Sequence, residues 1–313
     1  MDEIQPKKNK FWEGIKAPFI WLKNQAKGIG ALIAIFAVVF LAAMAGSLYS
    51  KSDTGTSSDL GSYDSTQDLA ARPSDGDCNV IGLDIHGCIA TYSDQYSGSE
   101  LSSCSTITSS EEIVGYIEQA EKDDTVKAVL LDVDSTGGIP QAAYEVSAAL
   151  KALGKPSVAW IRANGDSAAY WISTATNVII ASPESDVGSI GVTSSYSDYA
   201  KQNEKEGVTY NSLSTGKFKD TGNPAKPLTA DERTYIQKSL NVSLEDFIHT
   251  VATNRNLSVE KVRALADGSS MLGEEALANG LIDKLGTKKE TWAELENQIG
   301  EKPVVCWPQY QSQ

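Results

Sequence analysis

A strand-length apolar run, SVAWI from Ser157 to Ile161, passes through the turn RANGD into Ala168–Ala175, whose small and aromatic residues read as a buried helix. That succession puts Ser167 where a strand turns into a helix, and the rest of the chain is organised around it. A hydroxyl there faces the positive end of the helix dipole, and the next backbone N–H points towards any oxyanion that forms on an attacked carbonyl. Serine at a helix start is also the usual N-cap. Its partners decide between the two.

A serine nucleophile needs a group to take its proton, most often histidine. Only two histidines are present: His86 in the strand-like VIGLDIHG, and His249 in a long helix-like stretch. Neither has the polar surroundings of a triad, and both read as structural. The other common base is a desolvated lysine, whose pKa falls from ~10.4 to roughly 7–8. TGKFKD, Thr215–Asp220, offers Lys217 and Lys219. A second informative stretch is LLDVDSTGGIPQ, where a buried strand ends in Gly137 and Gly138 and a helix begins at once, so that backbone can approach a ligand closely.

SAAYWISTATNVIIASPESDVGSIGV followed by STGKFKD resembles the catalytic core of the SppA-type signal peptide peptidases. The resemblance spans roughly residues 79–286 and implies a Ser-Lys dyad on an α/β, ClpP/crotonase-like fold of repeated ββα units. Carried over by position, Ser167 matches the nucleophile, Lys219 the general base and Ser189 the serine that orients the lysine. The backbone N–H groups of Gly138 and Ala168 match the oxyanion hole. Lys219, unlike Lys217, directly precedes the Asp of the family pattern. No metal or cofactor is implied. The implied substrates are remnant signal peptides and other apolar peptides, and the family implies homo-oligomers whose dyad is completed between neighbouring protomers.

Five residues depart from the family pattern. Ala168 and Ala169 follow the nucleophile where Gly-Gly is usual, Gly165 and Asp166 precede it where Ala-Ala is usual, and Thr136 replaces the proline of SPGG. Alanine still donates its backbone N–H. Asp166 is expected to face solvent or cap the helix, because a carboxylate turned inwards opposes developing negative charge.

The N-terminal part divides into three. Residues 1–27 form a basic leader, with six lysines against three acids. Residues 28–50 carry no charge and are long enough to cross a bilayer once. The preceding lysines keep the N-terminus in the cytoplasm and export the rest, which places the protease domain on the outer face of the cytoplasmic membrane. Ala43-Met44-Ala45 resembles a signal-peptide cleavage site, but the long leader favours an uncleaved anchor. Residues 51–77, rich in Ser, Asp, Gly and Thr, read as a flexible linker.

The protease domain is expected over residues 78–300, with a tail at 301–313 that is either loose or a packed edge. Strands are expected at Asn79–Ile85, Lys127–Val133, Ser157–Ile161 and Val178–Ala181, and helices at Glu111–Lys122 and Pro140–Leu153, an alternation that gives a mostly parallel sheet. Thr229 followed by Glu232 is a capping signature for a long helix reaching about Asn254. The net charge of −14 argues against nucleic acid as a partner. Cys78, Cys88, Cys104 and Cys306 all fall on the exported side, where one or two disulfides are expected, with the pairing left open. Two other readings stand beside the peptidase: a membrane protease of the stomatin-partner type, and a catalytically silent oligomeric scaffold or peptide binder.

Overall fold

The computed structural model describes residues 78–93, 104 and 106–308. The leader, anchor and linker expected at 1–77 lie outside the described residues, and among the described residues no helix is long and apolar enough to cross a membrane.

The first half alternates strand and helix, as the apolar runs and their breaks require. It comprises β1 (Val80–Ala90), β2 (Ile107–Ser109), α1 (Ser110–Lys122), β3 (Ala128–Gly138), α2 (Pro140–Ala152), β4 (Ser157–Asp166), α3 (Ala168–Thr174) and β5 (Val178–Ala181). Then come β6 (Asp186–Gly188), α4 (Ala200–Lys205), α5 (Ala230–Arg255), α6 (Val259–Leu265), β7 (Ser270–Leu272), α7 (Gly273–Asn279), β8 (Lys284–Leu285), α8 (Lys288–Ile299) and β9 (Val305–Cys306). The nine strands form one sheet, with β2-β1-β3-β4-β5-β8 as its main path. Every pairing is parallel except that of β6 with β7.

Both central flanks of the sheet fork. On its side away from β3, β1 pairs with β9 at its start (Val80 with Val305) and with β2 at its end (Cys88 with Ile107). On its side away from β3, β4 pairs with β5 at its start (Val158 with Val178) and with β6 at its end (Asn164 with Asp186). The end of β4 that carries Ser167 is thereby supported by its own short partner, β6, and the end of β1 that flanks the glycine turn of β3 is supported by β2.

Side chains alternate across the strands, so each face has its own core. One face packs Leu83, Ile85, Leu131, Val133 and Ile161 under α1, α2, α3 and α5. The other joins Val80, Ala128, Leu130, Val158 and Trp160 to Leu295 and Trp292 of α8. Helix α3 is buried along its whole length, which explains its small and aromatic composition: Trp171 stacks on Phe247 with centroids 4.8 Å apart. Its hydroxyls are all used, Ser173 and Thr174 donating to carbonyls one turn back and Tyr170 to the Leu281 carbonyl. The expected capping box is present at the start of α5, Thr229 and Glu232 bonding reciprocally.

The cysteines pair as Cys78–Cys306 and Cys88–Cys104. Residues 304–306 are a packed edge: Asn79 and Val80 donate to the Val304 carbonyl, and Trp307 lies so close over Gly82 that a Cβ there would meet its ring at 2.6 Å.

Candidate active site

Ser167 occupies the N-cap position of α3 without capping it. Its φ of 53° and ψ of −120° lie in a region that L-residues rarely adopt, and its side chain makes no capping hydrogen bond. The backbone is held there from both sides: Ser167 N–H donates to the Gly188 carbonyl at 2.8 Å, and its own carbonyl accepts from Trp171 N–H at 2.9 Å. Among the described residues the hydroxyl has no hydrogen-bond partner, so it is available for chemistry. Because the helical bonds begin with Trp171, the Ala168 N–H is one of the orphan donors of the first turn.

The turn Gly137-Gly138 at the end of β3 lies against this serine. Gly137 has φ +110°, and a Cβ on it would stand 2.7 Å from the Ser167 Cβ and 3.1 Å from the Ala168 nitrogen. Ile139 N–H donates to the Ile89 carbonyl at 2.8 Å. Gly138 completes the turn with its backbone close against β1, where a Cβ on it would meet the Ile89 carbonyl oxygen at 2.0 Å. The two expected oxyanion donors thus belong to neighbouring turns in contact.

Asp166 corrects the sequence-based expectation. It neither faces solvent nor caps α3: it is 8% exposed, and its Oδ1 is buried without a hydrogen-bond partner among the described residues. Burial first, and the Asp186 carboxylate second, push its pKa up to about 6. Strand β6 runs beside the end of β4, and this brings Asp186 near.

Lys219 sits in a run of turns between α4 and α5. Its N–H donates to the Gly216 carbonyl at 3.0 Å, and its exposed ammonium has no hydrogen-bond or ion-pair partner among the described residues. Lys217, by contrast, is engaged: its ammonium is 2.7 Å from Asp231 and 5.3 Å from the centre of the Phe218 ring. The aspartate after Lys219 is the fastening point of this arm. Asp220 accepts from the hydroxyls of Tyr210 and Ser212 at 2.8 and 2.7 Å and from Asn223 Nδ2 at 3.1 Å, and these bonds hold its carboxyl below the usual range. Within the one chain, no hydrogen bond joins Lys219 to Ser167 or to Ser189. Ser189, itself at φ 47°, donates its hydroxyl to the Gly268 carbonyl at 3.0 Å.

Neither histidine is bonded to Ser167. The His86 Nε2 lies 3.6 Å from Asp132, whose carboxylate raises its pKa, and the exposed His249 lies on α5, 4.0 Å from Glu245. Asp84, His86 and Asp132 bring ligand-type atoms within 4.8 Å of one another, but the Arg162 guanidinium, 3.2 Å from Asp132, already compensates this charge. Sequence reasoning missed Ser135, whose one signal is its match to the serine of SPGG: it is a 2% exposed hydroxyl two residues before Gly137 that accepts from that glycine's amide.

Residues 149–302 match Peptidase family S49. The chain is 36% identical over 185 residues to a Methanocaldococcus jannaschii protein named as a protease, covering 58% of this chain and 60% of the relative. It is 32% identical over 185 residues to an Enterococcus faecium protein named as the signal peptide peptidase SppA, covering 58% of this chain and 54% of the relative. The match therefore spans little more than half the length of these relatives. Among solved structures, a ClpP1 variant from Listeria monocytogenes aligns with 72% of this chain and 97% of its own, at 14% identity and a TM-score of 0.42. With its serine held in a strained strand-to-helix turn against a glycine pair, the chain is similar over residues 149–302 to the peptidases of family S49, and the relatives it matches include proteins named as SppA-type peptidases.

Proposed function

We propose that this chain is a membrane-anchored serine endopeptidase that cleaves remnant signal peptides and other apolar peptides at the outer face of the cytoplasmic membrane, on a ClpP/crotonase-like scaffold. The observation that carries this reading is the unbonded Ser167 hydroxyl on a positive-φ turn, packed against Gly137 and followed by the free Ala168 amide. The Ser167 Oγ attacks the peptide carbonyl carbon as its proton passes to the Lys219 amine. The amides of Gly138 and Ala168 stabilise the tetrahedral oxyanion. The carbon–nitrogen bond then breaks as Lys219 returns the proton to the leaving amine, and water releases the acyl group with Lys219 again as base.

The exposed, partnerless Lys219 on an arm fastened at Asp220 supports a dyad made between protomers, in which one chain's arm reaches its neighbour's Ser167. Leu213 of that arm is 97% exposed, with Tyr196, Tyr199 and Phe218 also uncovered, which suits a surface closed by a second copy.

The test is labelling of the full-length protein in detergent by a fluorophosphonate, with Ser167→Ala and Lys219→Ala alongside. Labelling of the wild type and of neither variant is expected. A wild type that assembles but never labels has no activated serine, and the scaffold reading then takes over.

A further inference from the structure

Two glycines in succession leave the backbone free to swing, yet an oxyanion hole works only when its donors are fixed before charge develops. The register between β1 and β3 shifts between His86 and Cys88, and that between β3 and β4 shifts between Val133 and Ser135. Ser135 sits at the level of both shifts. Its buried hydroxyl donates to the Gly87 carbonyl at 2.6 Å and accepts from the Gly137 N–H at 3.0 Å. The carbonyl can only accept and the amide can only donate, so the hydroxyl proton is committed to Gly87.

Two residues further on, the Ile139 N–H is tied to the Ile89 carbonyl at 2.8 Å. The Gly138 amide therefore lies between two clamps, Ser135 on one side and Ile89 on the other. The Ile89 clamp is an ordinary backbone bond that any residue would supply. The Ser135 clamp depends on one side chain.

We infer that Ser135 is a positioning residue for the reaction: its hydroxyl locks the Gly137-Gly138 turn so that the Gly138 amide is held facing the carbonyl that Ser167 attacks. It touches neither substrate nor nucleophile. The inference rests on the reading of Ser167 as the nucleophile, and it adds the device that keeps one donor of the oxyanion hole in place. Loss of the hydroxyl frees the glycine pair, so the cost falls on the step in which negative charge appears.

The experiment compares wild type, Ser135→Ala and Ser135→Thr in the full-length protein. It measures fluorophosphonate labelling resolved into kinact and KI, inhibition by a peptidyl leucine boronate whose adduct is a tetrahedral anion, and the unfolding temperature. For Ser135→Ala, kinact is expected to fall about 10- to 100-fold and boronate affinity to fall in parallel, with KI changed by less than about twofold. Ser135→Thr, which keeps the hydroxyl, is expected to recover most of both. Unchanged kinact and boronate affinity in a folded Ser135→Ala overturn the inference. So does a loss in which kinact and unfolding temperature fall while KI rises, and threonine restores none of them, since that is the behaviour of a merely structural residue. A wild type that does not label overturns the peptidase reading, and the inference with it.

Discussion

Asp166 and Asp186 stand on adjacent parallel strands beside the turn that carries Ser167, and the second carboxylate reinforces the burial that lifts the first to about 6. The ordinary value is 3.8, so between these two pH values the folded chain holds a proton on Asp166 that the unfolded chain has released. Stability then falls as pH rises through that window and levels off above it. Asp166→Asn is expected to be more stable than wild type by about 2 kcal/mol at pH 7 and by much less at pH 4, read from urea unfolding. An equal difference at both pH values would show that the charge is not the cause. The same substitution removes a negative group next to Ser167, and acylation at pH 7.5 is expected to quicken about 3- to 10-fold.

Gly137 admits no side chain. Alanine there must adopt a φ of +110° and place its Cβ 2.7 Å from that of Ser167. Gly137→Ala is expected to reduce fluorophosphonate labelling by more than about 100-fold, and to lower stability by about 2 to 4 kcal/mol. Near-normal labelling would mean that the turn moves freely.

Ser167 itself is strained, and the strain outlasts the hydroxyl. Ser167→Ala keeps the positive φ, whereas Ser167→Gly relieves it. Both are expected to be inactive, with the glycine variant more stable than the alanine variant by about 1 kcal/mol in urea unfolding. The reverse order would argue that the backbone relaxes once the serine is gone.

A dyad shared between protomers gives a mixing signature. Ser167→Ala and Lys219→Ala are each expected to be inactive, yet co-assembled in equal amounts they should regain about a quarter of the wild-type rate, because random neighbours then supply a serine from one and a lysine from the other. No recovery in verified mixed oligomers places both groups in one chain.

Much of the scaffold was legible because burial on one or both faces writes period and length into the chain. Strand β5 was found at its expected limits, and α1, α2 and α5 agree with expectation to within a residue or two. The strands β3 and β4 run five residues further than their apolar runs. There, polar cross-strand bonds replace hydrophobic alternation: Arg162 with Asp132, and Asn164 with Asp134. The site was legible in part. Ser167 and the glycine pair stood out as residue types at a strand-to-helix turn, whereas the inward carboxyl of Asp166 and the bridging hydroxyl of Ser135 depend on register shifts that no local pattern records. The short strands β6 and β7 were missed because three residues carry no period.

The bond between Cys78 and Cys306 joins residues 228 apart in sequence at the corner where β9 lies beside β1. Everything between them is a covalent ring. A single cut in any loop outside the smaller Cys88–Cys104 bridge opens that ring without releasing a piece, so a nicked molecule keeps both halves of its sheet. Chain leading in before Cys78 and chain leading out after Cys306 depart from the same point. Tension applied through either one is borne by sulfur and not by the hydrogen bonds that hold Ser167 in its turn.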